Sequence, residues 1–354
     1  KGGTAITVTY GYDPLSQITT VTDAQGNETQ ISYDLLGRRT SINSPDRGLV
    51  EYTYDLAGNI VLKIDDDLRV KDEAIRYGYR YNRLEKIHYP ASPDVEYCYG
   101  GPGAGHNQAG RVYQIIDATG KVEHFYGKLG ETEKTVRTIN FLLPGQEAWV
   151  FETETGYDYL GRVQWMSYPD GEKLHYEYDK GGAVKSAYGA KAFQRYDYVK
   201  EIAYDEFGQR VSIKYGNDVT TTYAYDPYRR WLAGINTQNS AGQIFQNTLY
   251  TFDKAANVLG INNAATGVTH SYSYDDLYQL VRAEGTSTAG SYSQDFDYDS
   301  IGNMVRKISS TTPGSNLIYD FTFLYQSGKP HASSQIGGWT YSYDANGNTV
   351  QKAQ

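Results

Sequence analysis

Tyr52-Thr53-Tyr54-Asp55-Leu56-Ala57-Gly58-Asn59-Ile60-Val61-Leu62-Lys63-Ile64 is the stretch that decides how the rest of the chain is read. Tyr52 and Tyr54 stand two apart, so on an extended chain they share one face. Asp55 through Asn59 is turn chemistry. An aspartate side chain accepts from backbone amides two residues on, and Gly58 takes positive φ without a Cβ clash. Ile60, Leu62 and Ile64 then alternate with Val61 and Lys63, which gives a second strand with one face more apolar than the other. The stretch is a β-hairpin.

The same unit recurs along almost the whole chain. Its Tyr-Asp-x-x-Gly core stands at Tyr33-Asp34, Tyr54-Asp55, Tyr157-Asp158, Tyr178-Asp179, Tyr204-Asp205, Tyr298-Asp299 and Tyr343-Asp344. Copies at Tyr12-Asp13, Tyr225-Asp226 and Tyr274-Asp275 lose the glycine, and Phe252-Asp253 has drifted at both tyrosine and glycine. The aspartates at 13, 34 and 55 are 21 apart, as are those at 158 and 179; later steps run from 21 to 27. Periods of this size mark repeat architectures, in which a unit buries its apolar face only against its neighbours. One array over residues 1–354, least regular at 65–156, is therefore expected in place of the two or three domains that length alone suggests.

Composition fits an all-β chain with thin, local cores. There are 36 Tyr and 37 Gly but 2 Met and 1 Cys, and the mean hydropathy is −0.61. Tyrosine packs its ring across strands while its hydroxyl reaches water or backbone. A net charge of −9 argues against a general nucleic-acid binder, which needs a basic stripe. The run Asp65-Asp66-Asp67 reads as solvated turn residues. No run is long enough for a membrane span. The start at Lys1-Gly2-Gly3 and the end half a unit after Gly347 suggest a piece of a longer array.

Between the tyrosine turns lie turns at the opposite strand ends, Asp23–Asn27 and Ser44–Gly48 among them, so the chain meanders with short strands. Asn82-Arg83 stands where a regular turn is expected. The glycine-rich segment Gly100–Gly110 lacks the Gly-Lys-Ser/Thr of a phosphate loop and no helical pattern follows it, so it reads as an enlarged turn. A further hairpin centres on Thr119-Gly120, followed by Tyr126-Gly127-Lys128-Leu129-Gly130-Glu131. Lys134–Phe151 is the least repetitive stretch, with apolar runs at Ile139–Leu143 and Trp149–Phe151. A short helix is conceivable only near Tyr188–Arg195.

These residues resemble the Rhs or YD-repeat family along essentially the whole chain. Tyr54-Asp55-x-x-Gly58-Asn59 and Tyr157-Asp158-Tyr159-Leu160-Gly161-Arg162 look like its defining motif; Val21–Asn27 and Tyr126–Glu131 are similar to stretches common in it. Members include bacterial polymorphic toxins, toxin-complex components and the animal teneurins. The resemblance implies a continuous sheet of hairpins spiralling into a hollow β-shell, which in bacterial members sequesters a toxic C-terminal domain until delivery. Family shells end in an Asp-Pro-x-Gly motif at which many members cleave themselves. Here Asp13-Pro14-Leu15-Ser16 and Asp226-Pro227-Tyr228-Arg229 lack its glycine and lie far from the end, so no autoprotease residue carries over.

No catalytic, cofactor-binding or metal-ligating residue is assigned from the sequence. The repeated aspartates suggest a glycosidase pair, yet each has a local task in its own turn and a catalytic pair must converge. His88, His106, His124, His175, His270 and His331 are far apart in sequence with no ligand spacing. Cys98 has no adjacent base, so it is expected to be an inert thiol. The reading is a non-enzymatic shell segment of a secreted or cell-surface bacterial Rhs-type toxin protein. Its expected partners are the rest of its shell, a C-terminal toxin guest and secretion or toxin-complex components, with no cofactor. The alternative is an adhesion or glycan-binding module using exposed tyrosines; a hydrolase is the third reading.

Overall fold

The computed structural model describes residues 5–140, 147–312, 317–326 and 328–354. These residues form thirty strands in one antiparallel sheet, in which each strand pairs with the one before it in the chain. Packing groups them into two units, Lys1–Glu96 with Tyr292–Gln354, and Tyr97–Ser291.

The tyrosine turns share one construction. At Asp34 the amide donates to the Arg38 carbonyl (2.9 Å) and the Gly37 amide donates back to the Asp34 carbonyl (3.0 Å). Asp34 Oδ1 accepts from the amides of Leu36 and Arg38 at 2.9 Å each. Gly37 has φ +77°, and the register slips between Ser32 and Tyr33. This is a type I turn closed by a one-residue bulge, a hairpin loop whose last position must be left-handed. The copies without glycine keep that conformation: Ser16, Ala256 and Tyr278 have φ of 64°, 73° and 61°. Asp13 of the first Asp-Pro site caps a turn of this kind, and Asp226 of the second caps a turn one residue longer, closed by its amide on the Trp231 carbonyl with Arg230 at φ 62°. The aspartate cap therefore carries the turn even where glycine is lost.

Successive hairpins are joined by the repeat tyrosine. The Tyr33 hydroxyl donates to the Ile18 carbonyl (3.0 Å), Tyr54 to Arg39 (2.8 Å), Tyr178 to Val163 (2.6 Å), Tyr204 to Val184 (2.9 Å) and Tyr274 to Val258 (3.0 Å). In each case the acceptor lies five residues after the aspartate of the preceding turn. The reason is visible in the registers. Pairing between Ile18–Thr22 and Glu28–Tyr33 runs only over Thr20–Thr22, so the Ile18 carbonyl has no ladder partner there, and the tyrosine of the next turn supplies one.

In the unit of Lys1–Glu96 with Tyr292–Gln354 the buried hydrophobic residues are Val50, Phe296 and Ala332; in Tyr97–Ser291 they are Ala187, Ile213 and Ala283. Among the described residues no large side chain is fully buried. The accessible surface is 22260 Å² for 39.7 kDa, against about 14,000 Å² for a compact monomer of that mass. Strands such as Glu28–Tyr33 and Val268–Tyr274 alternate strictly between half-buried and exposed residues. The core is thin, as the scarcity of Leu, Met and Phe relative to Tyr requires.

Three expectations are corrected. Tyr188–Arg195 is not helical: it spans the end of the strand Val184–Lys191 and the start of Gln194–Tyr204. Ala192 and Phe193 between them have φ of 48° and 63°, a two-residue hairpin turn of mirror-image type. Conversely Asp66–Val70 forms one helical turn, with Asp65 as N-cap accepting from the Leu68 amide (3.1 Å) and Asp66 and Asp67 at its positive end. The acidic triplet is a helix start. The turn expected at Asn82-Arg83 is centred one residue earlier, on Tyr81 and Asn82, both at positive φ. Of the run Ile139–Leu143, residues 141–143 lie outside the described residues; Trp149–Phe151 opens the strand Trp149–Tyr157.

If the tyrosine bond joins neighbouring hairpins, Tyr178→Phe should cost about 1 kcal/mol. Tyr228→Phe, at a residue 93% exposed, should cost nothing measurable. Chemical denaturation of the two variants checks the difference.

Candidate functional site

At several tyrosine turns the side chain four residues after the aspartate closes the turn, reaches a neighbouring turn, or does both. Asn59 Nδ2 donates to Asp55 Oδ2 (2.9 Å), and Arg38 Nε donates to Asp34 Oδ2 (2.6 Å). Arg38 also reaches the Asp55 carbonyl of the next turn (3.1 Å), as Gln17 reaches Gly37 (3.2 Å) and Gln209 reaches Arg230 (2.9 Å). Arg38 and Arg162 further lie over the rings of Tyr54 and Tyr178, at 4.7 and 4.3 Å. The rim formed by these turns is thus tied turn to turn.

This chemistry fixes the charge state of the turn aspartates. Hydrogen bonds from Asn59, side chain then amide, hold the Asp55 carboxyl below the usual carboxylate range. The Arg38 amide does so first for Asp34, and the Asn257 side chain first for Asp253. Each carboxylate is occupied in its own turn, and the aspartates do not converge on a shared centre. Among the described residues no group of three or more His, Cys, Asp or Glu can hold a metal ion.

The histidines have separate local settings. His88 Nδ1 lies 2.7 Å from Asp94, His106 stands edge-on to Phe125 at 5.1 Å, and His175 stacks on Tyr188 at 4.7 Å. Burial lowers the pKa of His124 and, with the cations Lys173 and Arg195, that of His175. Cys98 is half-buried. The enlarged turn at Gly100–Gly110 folds back on its neighbour: Asn107 Nδ2 donates to the Tyr126 carbonyl (3.0 Å) and Gln108 Nε2 to that of His124 (2.9 Å). Asn107 and Gln108 are thus committed within the protein.

Next to it opens a depression of about 620 Å³ lined by His106, Phe125, Glu133, Lys134, Glu154 and Trp165. Trp165 lies over Gly156, where any Cβ would fall 2.1 Å from the indole nitrogen. Lys173 sits 3.3 Å from the indole centroid. Lys134 pairs with Glu152 and, at 3.7 Å, with Glu154. Tyr157, Tyr274 and Tyr325 are likewise half-buried, with hydroxyls donated to the carbonyls of Thr132, Val258 and Met304, and desolvation raises their pKa.

A contact the sequence did not suggest lies within the unit of Lys1–Glu96 with Tyr292–Gln354. Asp46, in an opposite-end turn, accepts from the His331 amide (2.8 Å) and meets His331 Nδ1 (2.8 Å). Lys329 Nζ donates to the carbonyls of Asp46 and Ala345, 2.9 Å each. Gln25 Nε2 donates to Asp299 (3.0 Å), and the Asp67 amide donates to Asn346 (3.2 Å). Opposite-end turns of early repeats thus rest on tyrosine-turn residues of late ones.

These features define a tandem array of aspartate-capped hairpins joined by tyrosine. Residues 12–49 match the RHS repeat family. The chain is 30% identical over 204 residues to toxin subunit YenC1 of Yersinia entomophaga (48% of this chain, 20% of that one). It is 27% identical over 271 residues to YenC2 of the same organism, covering 60% of this chain and 28% of the relative. Among solved structures it superposes on a chain of the Photorhabdus luminescens Tc holotoxin pore with TM-score 0.82 at 18% identity, over 98% of this chain and 20% of the other. A TcdB2-TccC3-Cdc42 crystal structure gives 0.84 at 19% identity, over 99% and 21%. The chain carries an RHS-repeat match, is similar in sequence to these toxin subunits, has the fold of that part of the Tc chains, and spans between a fifth and somewhat over a quarter of these relatives.

Two outcomes follow. Because the turn carboxylates are held below their unfolded pKa of about 4, the stability they give is complete above that pH. It is lost as pH falls through their folded values. Melting temperature should therefore drop steeply in acid, and less so with Asp34, Asp55 and Asp253 all changed to Asn, which keeps the amide acceptor without the charge. For the long-range contact, Asp46→Ala with Lys329→Met should cost about 1–2 kcal/mol and speed amide exchange at residues 329–333 and 344–348.

Proposed function

We propose that this chain is a stretch of wall in a secreted bacterial toxin-complex protein, structural in role, enclosing a toxic C-terminal region of the same polypeptide until delivery. The observation that carries the reading is the unbroken hairpin array, matched over nearly its whole length by chains of Tc toxin complexes and related in sequence to two toxin subunits. Its partners would be the remainder of that wall, the enclosed guest, and the secretion or toxin-complex components that handle it.

The mechanism is steric. A sheet whose backbone groups pair strand to strand, whose turns are capped and whose hairpins are joined by tyrosine leaves a guest no passage through the wall. One face of a strand such as Val268–Tyr274 carries Val268, His270, Tyr272 and Tyr274, the last with its hydroxyl on the Val258 carbonyl, and the other carries Thr269, Ser271 and Ser273. Neither face offers the dense aliphatic surface that a folding guest could adopt as its own core.

The test is protection from protease in the whole protein that contains this array and its C-terminal region. The C-terminal region should resist trypsin and stay inactive until the array is opened by denaturant. A C-terminal region that is cut and active beside an intact array would overturn the reading. Small-angle scattering of the isolated chain should give a radius of gyration clearly above the value of about 20 Å for a filled globule of this length.

A further inference from the structure

Within the unit Tyr97–Ser291, the insertion at Gly100–Gly110 carries His106 to the wall of the depression beside Gly156. His106 and Asn107 both hold φ of 51°, a conformation that costs a residue with a Cβ and persists where its surroundings fix it. The His106 carbonyl accepts from the Tyr126 amide (3.1 Å), and its ring stands edge-on to Phe125, the two planes meeting at 82°. Imidazole and phenyl thus form two walls of one corner. Lys134 Nζ lies 6.0 Å from the Phe125 centroid, at the outer limit of cation–π contact, about 6 Å. The volume, about 620 Å³, falls in the range of about 300–1,000 Å³ that suits a small ligand or a large side chain.

The cations around this corner are already engaged. Lys134 pairs with Glu152 and Glu154, and Lys173 lies against Trp165. Arg111 Nη1 donates to the Asn107 carbonyl (2.6 Å), with the guanidinium over the Tyr126 ring. Lys128 is exposed on the turn before Glu131. Glu131 and Glu133, by contrast, make no ion pair among the described residues, although they stand side by side. A Cβ on Gly127 would fall 2.1 Å from Glu131 Oε1 and 2.7 Å from Glu133 Oε1. Glu131 Oε2 is inaccessible and has no hydrogen-bond partner. Desolvation and then the charges of Glu131 and Glu133 raise the pKa of Tyr157 beside them. Adjacent carboxylates repel, and an unpartnered buried oxygen is costly; a cation brought between them relieves both.

We propose that this depression binds the side chain of an arginine residue in a polypeptide, its guanidinium stacked on Phe125 beside His106 and hydrogen-bonded to Glu133 and Glu131. Arginine fits where lysine does not, because a planar fork of five donors can lie flat on a ring and still reach two carboxylates, while an ammonium is a point charge. A residue within a chain fits where free arginine does not. The free amino acid carries its own carboxylate, which Glu133 and Glu154 repel; in a chain that group is a neutral amide. A pyranose is disfavoured, since Trp165, the broadest ring at the site, lies against Gly156 and Lys173. The site does not depend on whether the array encloses a guest.

The probe is the capped tripeptide acetyl-Gly-Arg-Gly-amide, titrated calorimetrically into the whole chain. It should bind saturably, and more tightly than the matching lysine tripeptide or free arginine. Glu133→Gln, at an exposed position, should leave the melting temperature in place and weaken binding about tenfold, the loss of one charge-assisted hydrogen bond. Glu206→Gln, an equal change of charge outside the depression, should leave binding as it was. Absence of saturable binding overturns the proposal. Equal binding of the lysine tripeptide overturns the role of the planar fork, and equal binding of free arginine overturns the polypeptide as the source. Affinity unchanged in Glu133→Gln, or lowered as much by Glu206→Gln, overturns the site, because general attraction to an acidic chain would then account for the binding.

Discussion

The hydrogen bond from the repeat tyrosine to a carbonyl of the preceding hairpin is the constraint on which this architecture depends. A hairpin closed by a type I turn and a bulge twists strongly at its rim, and the ladder to its neighbour stops short there. Between Ile18–Thr22 and Glu28–Tyr33 it ends at Thr20 and Gln30. The carbonyl beyond that point faces the gap without a backbone donor. Tyrosine solves both problems, because its ring fills the gap and its hydroxyl reaches the acceptor. Phenylalanine fills the gap alone, as Phe252 does, and leans on Trp231 at 5.4 Å instead.

Stability in such a chain is a sum of neighbour terms, with little contributed by a common core. That explains how the array tolerates irregular units. A missing glycine at Ser16, Ala256 or Tyr278 strains one turn, and the aspartate cap holds it. An insertion at Gly100–Gly110 is absorbed by bonds to the adjacent strand Gly120–Tyr126. The contact of Asp46 with Lys329 and His331 is of another kind, since it ties residues 283 and 285 positions apart.

What the sequence made legible followed from locality. Tyr52 and Tyr54 on one face, Asp55 capping its own turn and Ile60–Ile64 returning are all events within a few residues, and period and turn chemistry report them directly. The helical turn at Asp66–Val70 escaped because five residues are too few to show a helical period. Ala192 and Phe193 escaped because neither is a residue that usually takes positive φ. The tyrosine acceptors were half-legible: the need for a backbone partner was evident from the residue type, and its identity required the register. The Asp46 contact left no trace, since nothing near Ser44–Gly48 marks a partner almost a whole chain away.

The same economy bears on where this protein can recognise anything. The turn aspartates are spent on amides and the repeat tyrosines on carbonyls, and Trp165 lies against Gly156 and Lys173. A group already satisfied gains little from a ligand, because binding must first break what it has. These groups on the faces of the sheet are therefore poor anchors for a ligand. The turn tips differ, for their backbone geometry leaves the central side chains free. At Leu35, Leu56, Tyr159 and Phe207 those side chains are large, apolar and in water.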